Sequence, residues 1–165
     1  MGRAKGCQFE AIVSDAVSLA GMRDTGLKIY FDGGARPNPG MIETGVILRG
    51  IFHHSQGLGL GDSNMAEWLA LLHALKLAAK HGERNVILIG DSALVINQAK
   101  GLWPCRNSAL QAYYAEFVGL AGDFDRIRLR HVGRSHNLAG IALDNLRHGS
   151  KSIMSAPLIA YTTCQ

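Results

Sequence analysis

The sequence predicts an α/β domain built on a mixed sheet, and three observations carry that expectation. Three short β-favouring runs follow one another at 27–31, 44–49 and 51–55, as in an antiparallel meander. Helical periodicity over 64–81 then leads into a continuous apolar run at 86–89, the pattern of a parallel strand covered on both faces. Two of these runs end in an acid, Asp32 and Asp91, which puts carboxylates at the rim of the sheet. The chain has 165 residues, 47% hydrophobic and 18% charged, enough for one domain with a sizeable core. That domain is expected to span 27–149, between an amino-terminal extension at 1–26 and a carboxyl-terminal tail at 150–165 with no assigned function.

Each element has its own signal. After Asp32, the residues Gly33, Gly34, Pro37, Pro39 and Gly40 read as a turn that continues neither a helix nor a sheet. Gly50 separates the second and third runs as a hairpin would. Gly57, Gly59 and Gly61 read as a glycine-rich connection, lacking both the GxGxxG spacing and the lysine of a phosphate loop. Met65, Trp68, Leu69, Leu72 and Leu75 recur near helical spacing, and Gly82 stops that helix. Two further helices are expected at 92–100 and 108–120. From 126 to 132, Ile127 and Leu129 alternate with Arg126, Arg128 and Arg130, as in an edge strand with its arginines turned to solvent or substrate. A last helix is expected at 138–148.

The net charge of +4 is uneven, because Arg126, Arg128, Arg130, Arg134, Arg147 and Lys151 face Asp144 alone between residues 126 and 151. Such a basic end suits either a polyanionic partner or a solvated charged face. No apolar run reaches the roughly 18 residues of a membrane-spanning helix, and no secretory signal is read. Cys7, Cys105 and Cys164 are odd in number and far apart, which fits a reducing, cytoplasmic setting.

The order of elements leaves the first strand between its hairpin partner and the strand ending at Asp91. Ligand sites of open α/β sheets lie where the strand order switches in this way. Neighbouring strands are roughly 4.8 Å apart, so Asp32 and Asp91 can share an ion. Glu67, near the start of the long helix beside Ala66 and Ala70, is the natural third ligand. Hard oxygen ligands of this kind suit Mg²⁺ or Mn²⁺. Each acid also has a purely structural reading: Asp32 in an Asx turn, Glu67 closing a capping box with Asn64, and Asp91 as a helix N-cap.

Four ordered motifs resemble type 1 ribonuclease H: FDGGARPNPG around Asp32, NMAEWLALLHAL around Glu67, GDSALVINQAKG around Asp91, and HVGRSHN before the last helix. The resemblance runs from about residue 27 to residue 148. It implies the ribonuclease H-like fold, a five-stranded mixed sheet of order 3-2-1-4-5 flanked by helices, and cleavage of the RNA strand of RNA–DNA hybrids. By that resemblance Asp32, Glu67 and Asp91 are catalytic and hold two divalent ions, while Asn38 and Asn64 contact the substrate backbone and 2′-hydroxyls.

The chain also departs from the family. A fourth carboxylate is usual four residues after an asparagine in the last helix; counted from Asn137 that place is Ile141, or Gly140 with a one-residue gap. Neither binds metal, which leaves Asp144, Asn137 and His136 as candidate fourth ligands and implies weak activity or a preference for Mn²⁺ over Mg²⁺. The family's loop histidine has no clean match, with His136 or Arg134 as stand-ins. The segment 101–107 is too short for the basic protrusion of some members, so hybrid binding falls to Arg126, Arg128, Arg130 and Arg134. The leading expectation is a metal-dependent endonuclease that acts as a monomer without a protein partner. Two alternatives stand beside it: a pseudoenzyme that binds nucleic acid without cutting it, and a DNA nuclease of the same superfold.

Overall fold

The computed structural model describes residues 26–149 and 161–163; the extension up to residue 25 and the rest of the tail, with Cys7, Lys151 and Cys164, lie outside the described residues. Leu27–Arg36 (β1), Gly40–Leu48 (β2) and Ile51–Gly61 (β3) form the antiparallel meander. Ser63–Lys80 (α1) crosses to Asn85–Gly90 (β4), and Ala93–Ala99 (α2) with Ser108–Ala121 (α3) crosses to Arg126–His131 (β5). Leu138–His148 (α4) closes the domain. β4 lies parallel to β1 and β5 parallel to β4, so the five strands take the order 3-2-1-4-5 expected from the sequence. The tail adds a short sixth strand, Tyr161–Thr163 (β6), parallel to β3 at that edge.

Two glycine-rich stretches behave differently from expectation. Gly33 and Gly34 do not start a turn, because β1 runs on to Arg36, paired with β2 throughout. The glycines are there for space: a Cβ on Gly33 would sit 2.1 Å from the Ala66 carbonyl oxygen of α1, and one on Gly34 would meet the Arg147 guanidinium at 2.0 Å. Likewise, 57–61 is strand rather than connection. After a register shift between Met41 and Glu43, β3 resumes pairing with β2 at Leu60 and Gly61, and Gly57 and Gly59 supply the positive φ of the irregular stretch. The hairpin itself turns at Arg49 and Gly50, both at positive φ as a two-residue turn requires.

The main core lies between one face of the sheet and α1, α2 and α3. Trp68 is fully buried at its centre, edge-on to Tyr114 and Phe117 at 6.2 Å, and its indole N–H donates to Gln98 at 3.1 Å. On the opposite face, Ala139, Ala142 and Leu143 of α4 pack on Ile47 and Phe52. The alternation of β5 follows this division: Ile127 and Leu129 enter the main core, and Arg126, Arg128 and Arg130 belong to the other face. No described helix is long and apolar enough to cross a membrane.

His73 of α1 places its Nδ1 2.9 Å from Thr44 Oγ1, and burial, helped by His53 and Lys76, pushes its pKa down to about 4. An unfolded histidine takes up its proton near pH 6.5, whereas His73 in the fold stays neutral. Stability should therefore be lost as pH falls from about 6.5 toward 4, by on the order of 2–3 kcal/mol for this residue. Thermal melts of His73→Gln should decline less than wild type between pH 7 and 4.5; an equal decline would remove His73 as the cause.

Candidate active site

Three carboxylates expected from the sequence come together. Asp32 stands two residues past Tyr30, the last β1 residue paired with β4, so it sits where β1 loses its parallel neighbour. It lies inside β1 rather than at its end, a correction that follows from the strand continuing through Gly33 and Gly34. Asp91 leaves β4 directly after Gly90. α1 approaches β1 at Gly33 with no side chain between them, which brings Glu67 against Asp32. One oxygen from each of Asp32, Glu67 and Asp91 lies within 4.8 Å of the others.

The purely structural readings of these acids fail. Asp62, not Asn64, caps α1 by accepting from the Met65 N–H, and Ser92, not Asp91, caps α2. Asp32 is fully buried in a strand. Its pKa is pushed up to about 7, first by burial and then by Asp91 beside it. Glu67 is raised well above the usual carboxylate range by burial, Asp32 and Asp91. Asp32 Oδ1, Asp32 Oδ2 and Glu67 Oε2 are buried without a hydrogen-bond donor. Buried acceptors facing one another without donors fit a hard divalent cation, which would relieve both the repulsion and the desolvation.

The fourth position is also resolved. Gly140 is the α4 residue that faces the cluster, since a Cβ there would stand 3.2 Å from Asp32 Oδ2, whereas Ile141 is exposed. Of the three candidate fourth ligands, neither His136 nor Asp144 joins the cluster found among the described residues, and Asn137 meets it through its amide N–H group rather than its oxygen. Asn137 is fully buried; its Oδ1 caps α4, and its Nδ2 donates to the Phe31 carbonyl and to Asp91 Oδ1, both at 2.9 Å. It orients Asp91, a role that sequence spacing did not suggest. His136 is exposed, with its Nδ1 on Ser135 Oγ at 3.2 Å.

Asp144 pairs with Arg134 at 3.1 Å, Arg147 at 3.0 Å and Arg36 at 3.7 Å. Partial burial opposes its charge, but Arg134 and Arg147 hold its carboxyl below the usual range. Arg134 reaches inward as well, with Nη1 3.3 Å from Asp91 Oδ2 and 3.6 Å from Asp32 Oδ1. This bridge between the cluster and Asp144 was not anticipated, although Arg134 itself was singled out as a substrate contact. His131 adds a second support by donating its Nε2 proton to the Asp91 carbonyl at 3.1 Å.

The asparagines expected to touch substrate lie at the start of α1. Asn38 is tied to the start of α1, accepting from the Ser63 N–H at 3.2 Å and donating to Ser63 Oγ at 3.3 Å. Asn64 is exposed in the first turn of α1. Arg130 lines an open groove with Lys28, Tyr30 and His136.

Comparison with known proteins points the same way as the geometry. Residues 44–145 match the family described as reverse transcriptase-like. The ribonuclease HI of Halobacterium salinarum is 35% identical over 121 residues, which cover 70% of this chain and 61% of that protein. A bifunctional protein of Mycobacterium tuberculosis is 32% identical over 71% of this chain, but the match spans only about a third (34%) of its length. Among solved structures, the Halobacterium salinarum RNase H1 superposes with a TM-score of 0.68 at 30% identity, covering 75% of this chain and 98% of that one. LC11-RNase H1, solved in complex with an RNA/DNA hybrid, superposes with a TM-score of 0.62 at 26% identity, covering 71% of this chain and 92% of that one.

Proposed function

This chain belongs to the reverse transcriptase-like family as a type 1 ribonuclease H, and from that premise we propose that it is a metal-dependent endonuclease hydrolysing the RNA strand of RNA–DNA hybrids. The observation that carries the reading is the trio Asp32, Glu67 and Asp91, with Asp32 fully buried, at the point where the sheet changes direction. These three residues would hold Mg²⁺ or Mn²⁺, and a bound ion would supply Lewis-acid charge at the phosphate and make water a nucleophile at neutral pH. Asn137 and His131 fix Asp91, and the Gly33 contact fixes Glu67 relative to Asp32. Arg134 already reaches Asp32 Oδ1 and Asp91 Oδ2, so a second ion held by these acids would compete with its guanidinium for them.

Asn38 and the exposed Asn64 stand near the start of α1 and are assigned here to the substrate backbone and its 2′-hydroxyls, the groups that distinguish RNA from DNA. Arg130 and Arg134, both exposed, are assigned to phosphates. Hybrid affinity should accordingly fall steeply between 50 and 200 mM salt, about tenfold or more for two or more neutralised phosphates. A salt-independent affinity would remove the arginine assignment. The function itself is tested by labelling each strand in turn: the RNA of a hybrid should be shortened, and its DNA partner and both homoduplexes left whole. Gly140 favours a second reading, a protein that binds the hybrid without cutting it, because the family's fourth acid is missing beside Asp32. Intact RNA in a bound hybrid, in both metals, would select that reading.

A further inference from the structure

We propose that Arg134 takes the place of a second divalent ion, so that the site works with one ion held by Asp32, Glu67 and Asp91 and one guanidinium fixed on the Asp144 side. The inference rests on the metal-dependent reading above and narrows it.

Two independent features lead there. On α4, Gly140 faces Asp32, where a Cβ would stand 3.2 Å from Asp32 Oδ2, and no acid of that helix belongs to the cluster. The nearest acid, Asp144, is held by the guanidinium groups of Arg134, Arg147 and Arg36. To ligate a metal it would have to leave partners that include Arg147, which is itself tied to Glu43 at 2.6 Å. Asp144 is thus an anchor for cations. It holds Arg134 Nη2 while Arg134 Nη1 lies on Asp91 and Asp32, which turns one guanidinium into a bridge from α4 to the cluster.

Charge agrees with this division. In the free chain, one divalent ion and one guanidinium stay within the four carboxylates they face, Asp144 included, whereas two ions and the guanidinium exceed them. An arginine keeps its charge at every working pH and presents several N–H groups in a plane, the geometry that suits phosphate oxygens. The Arg134 side chain is 54% exposed, so donors not engaged by the carboxylates are open to a phosphate from solvent. Arg134 would therefore stabilise charge developing on the scissile phosphate while Asp144 keeps it in place.

The test is a Mn²⁺ titration followed by calorimetry and electron paramagnetic resonance, on the free chain and on the chain bound to a hybrid with an uncleavable 2′-O-methyl RNA strand. Wild type should take one magnetically isolated Mn²⁺ in both states. Arg134→Met should bind that ion about tenfold more tightly in the free chain, because a nearby positive charge has been removed. Asp144→Asn should keep one Mn²⁺, and Arg134→Met with Gly140→Asp should admit a second ion coupled to the first. Two coupled Mn²⁺ in wild type, unchanged affinity in Arg134→Met, or loss of the ion in Asp144→Asn would each overturn the assignment to Arg134. Failure of the folded wild type to bind any Mn²⁺ would instead overturn the metal-dependent reading beneath it.

Discussion

Gly33→Ala should unfold the domain or force α1 away from the sheet, the largest stability loss expected from adding one methyl group. The added Cβ would lie 2.1 Å from the Ala66 carbonyl oxygen, 2.2 Å from its carbon and 2.5 Å from the Glu67 nitrogen. All three are backbone atoms, so no rotamer change relieves the clash, and the cost should reach roughly 3 kcal/mol or more. The same contact sets the register of Glu67 against Asp32. A variant that still folds should therefore lose Mn²⁺ affinity and cleavage along with stability. Gly50→Ala makes the comparison, since its Cβ would meet nothing within 4 Å and its cost is only that of a positive φ. A Gly33→Ala protein that melts with wild type would refute the close approach of α1.

Asp32→Asn should abolish cleavage, by about 10³-fold or more, and at the same time stabilise the metal-free fold above neutral pH. The sign follows from the raised pKa. Between the ordinary aspartate value of 3.8 and about 7, the folded chain keeps a proton on Asp32 that the unfolded chain has released. Stability therefore falls as pH rises through that window, and above it the fold carries the whole cost of a buried charge, with a ceiling on the order of 4 kcal/mol. Asparagine removes that cost. Metal-free Asp32→Asn should melt several degrees above wild type at pH 8 and close to it at pH 4, while Mn²⁺ should raise the melting temperature of wild type alone. Equal melting at pH 8 would show that Asp32 is not strained by its surroundings.

The fold was largely legible because its signals are local. The periodicity of α1, the apolar run of β4 and the alternation of β5 each predicted an element within two residues of its place. Glycines were the weak point. Gly33, Gly34, Gly57 and Gly59 read as breakers, yet the first pair makes room for α1 and Arg147 and the second pair lets β3 bulge. A sequence shows that a side chain is missing, not which neighbour needs the space. The three carboxylates were legible because strand order and spacing bring them together. Their supports were not: Asn137 reaches Phe31 and Asp91 from more than 40 residues away, and Arg134 joins an acid of β1, one just after β4 and one of α4.

If Asp32, Glu67 and Asp91 hold a metal that serves cleavage of RNA paired with DNA, activity must depend on both the metal and Asp32. The most direct measurement is cleavage of an RNA-labelled hybrid by wild type and by Asp32→Asn, in Mg²⁺, in Mn²⁺ and in chelator. The expected result is shortening of the RNA by wild type in at least Mn²⁺, none in chelator, and none by the variant in any condition. Wild-type protein that binds both Mn²⁺ and the hybrid yet leaves the RNA intact, or a variant that cuts as well as wild type, would contradict it.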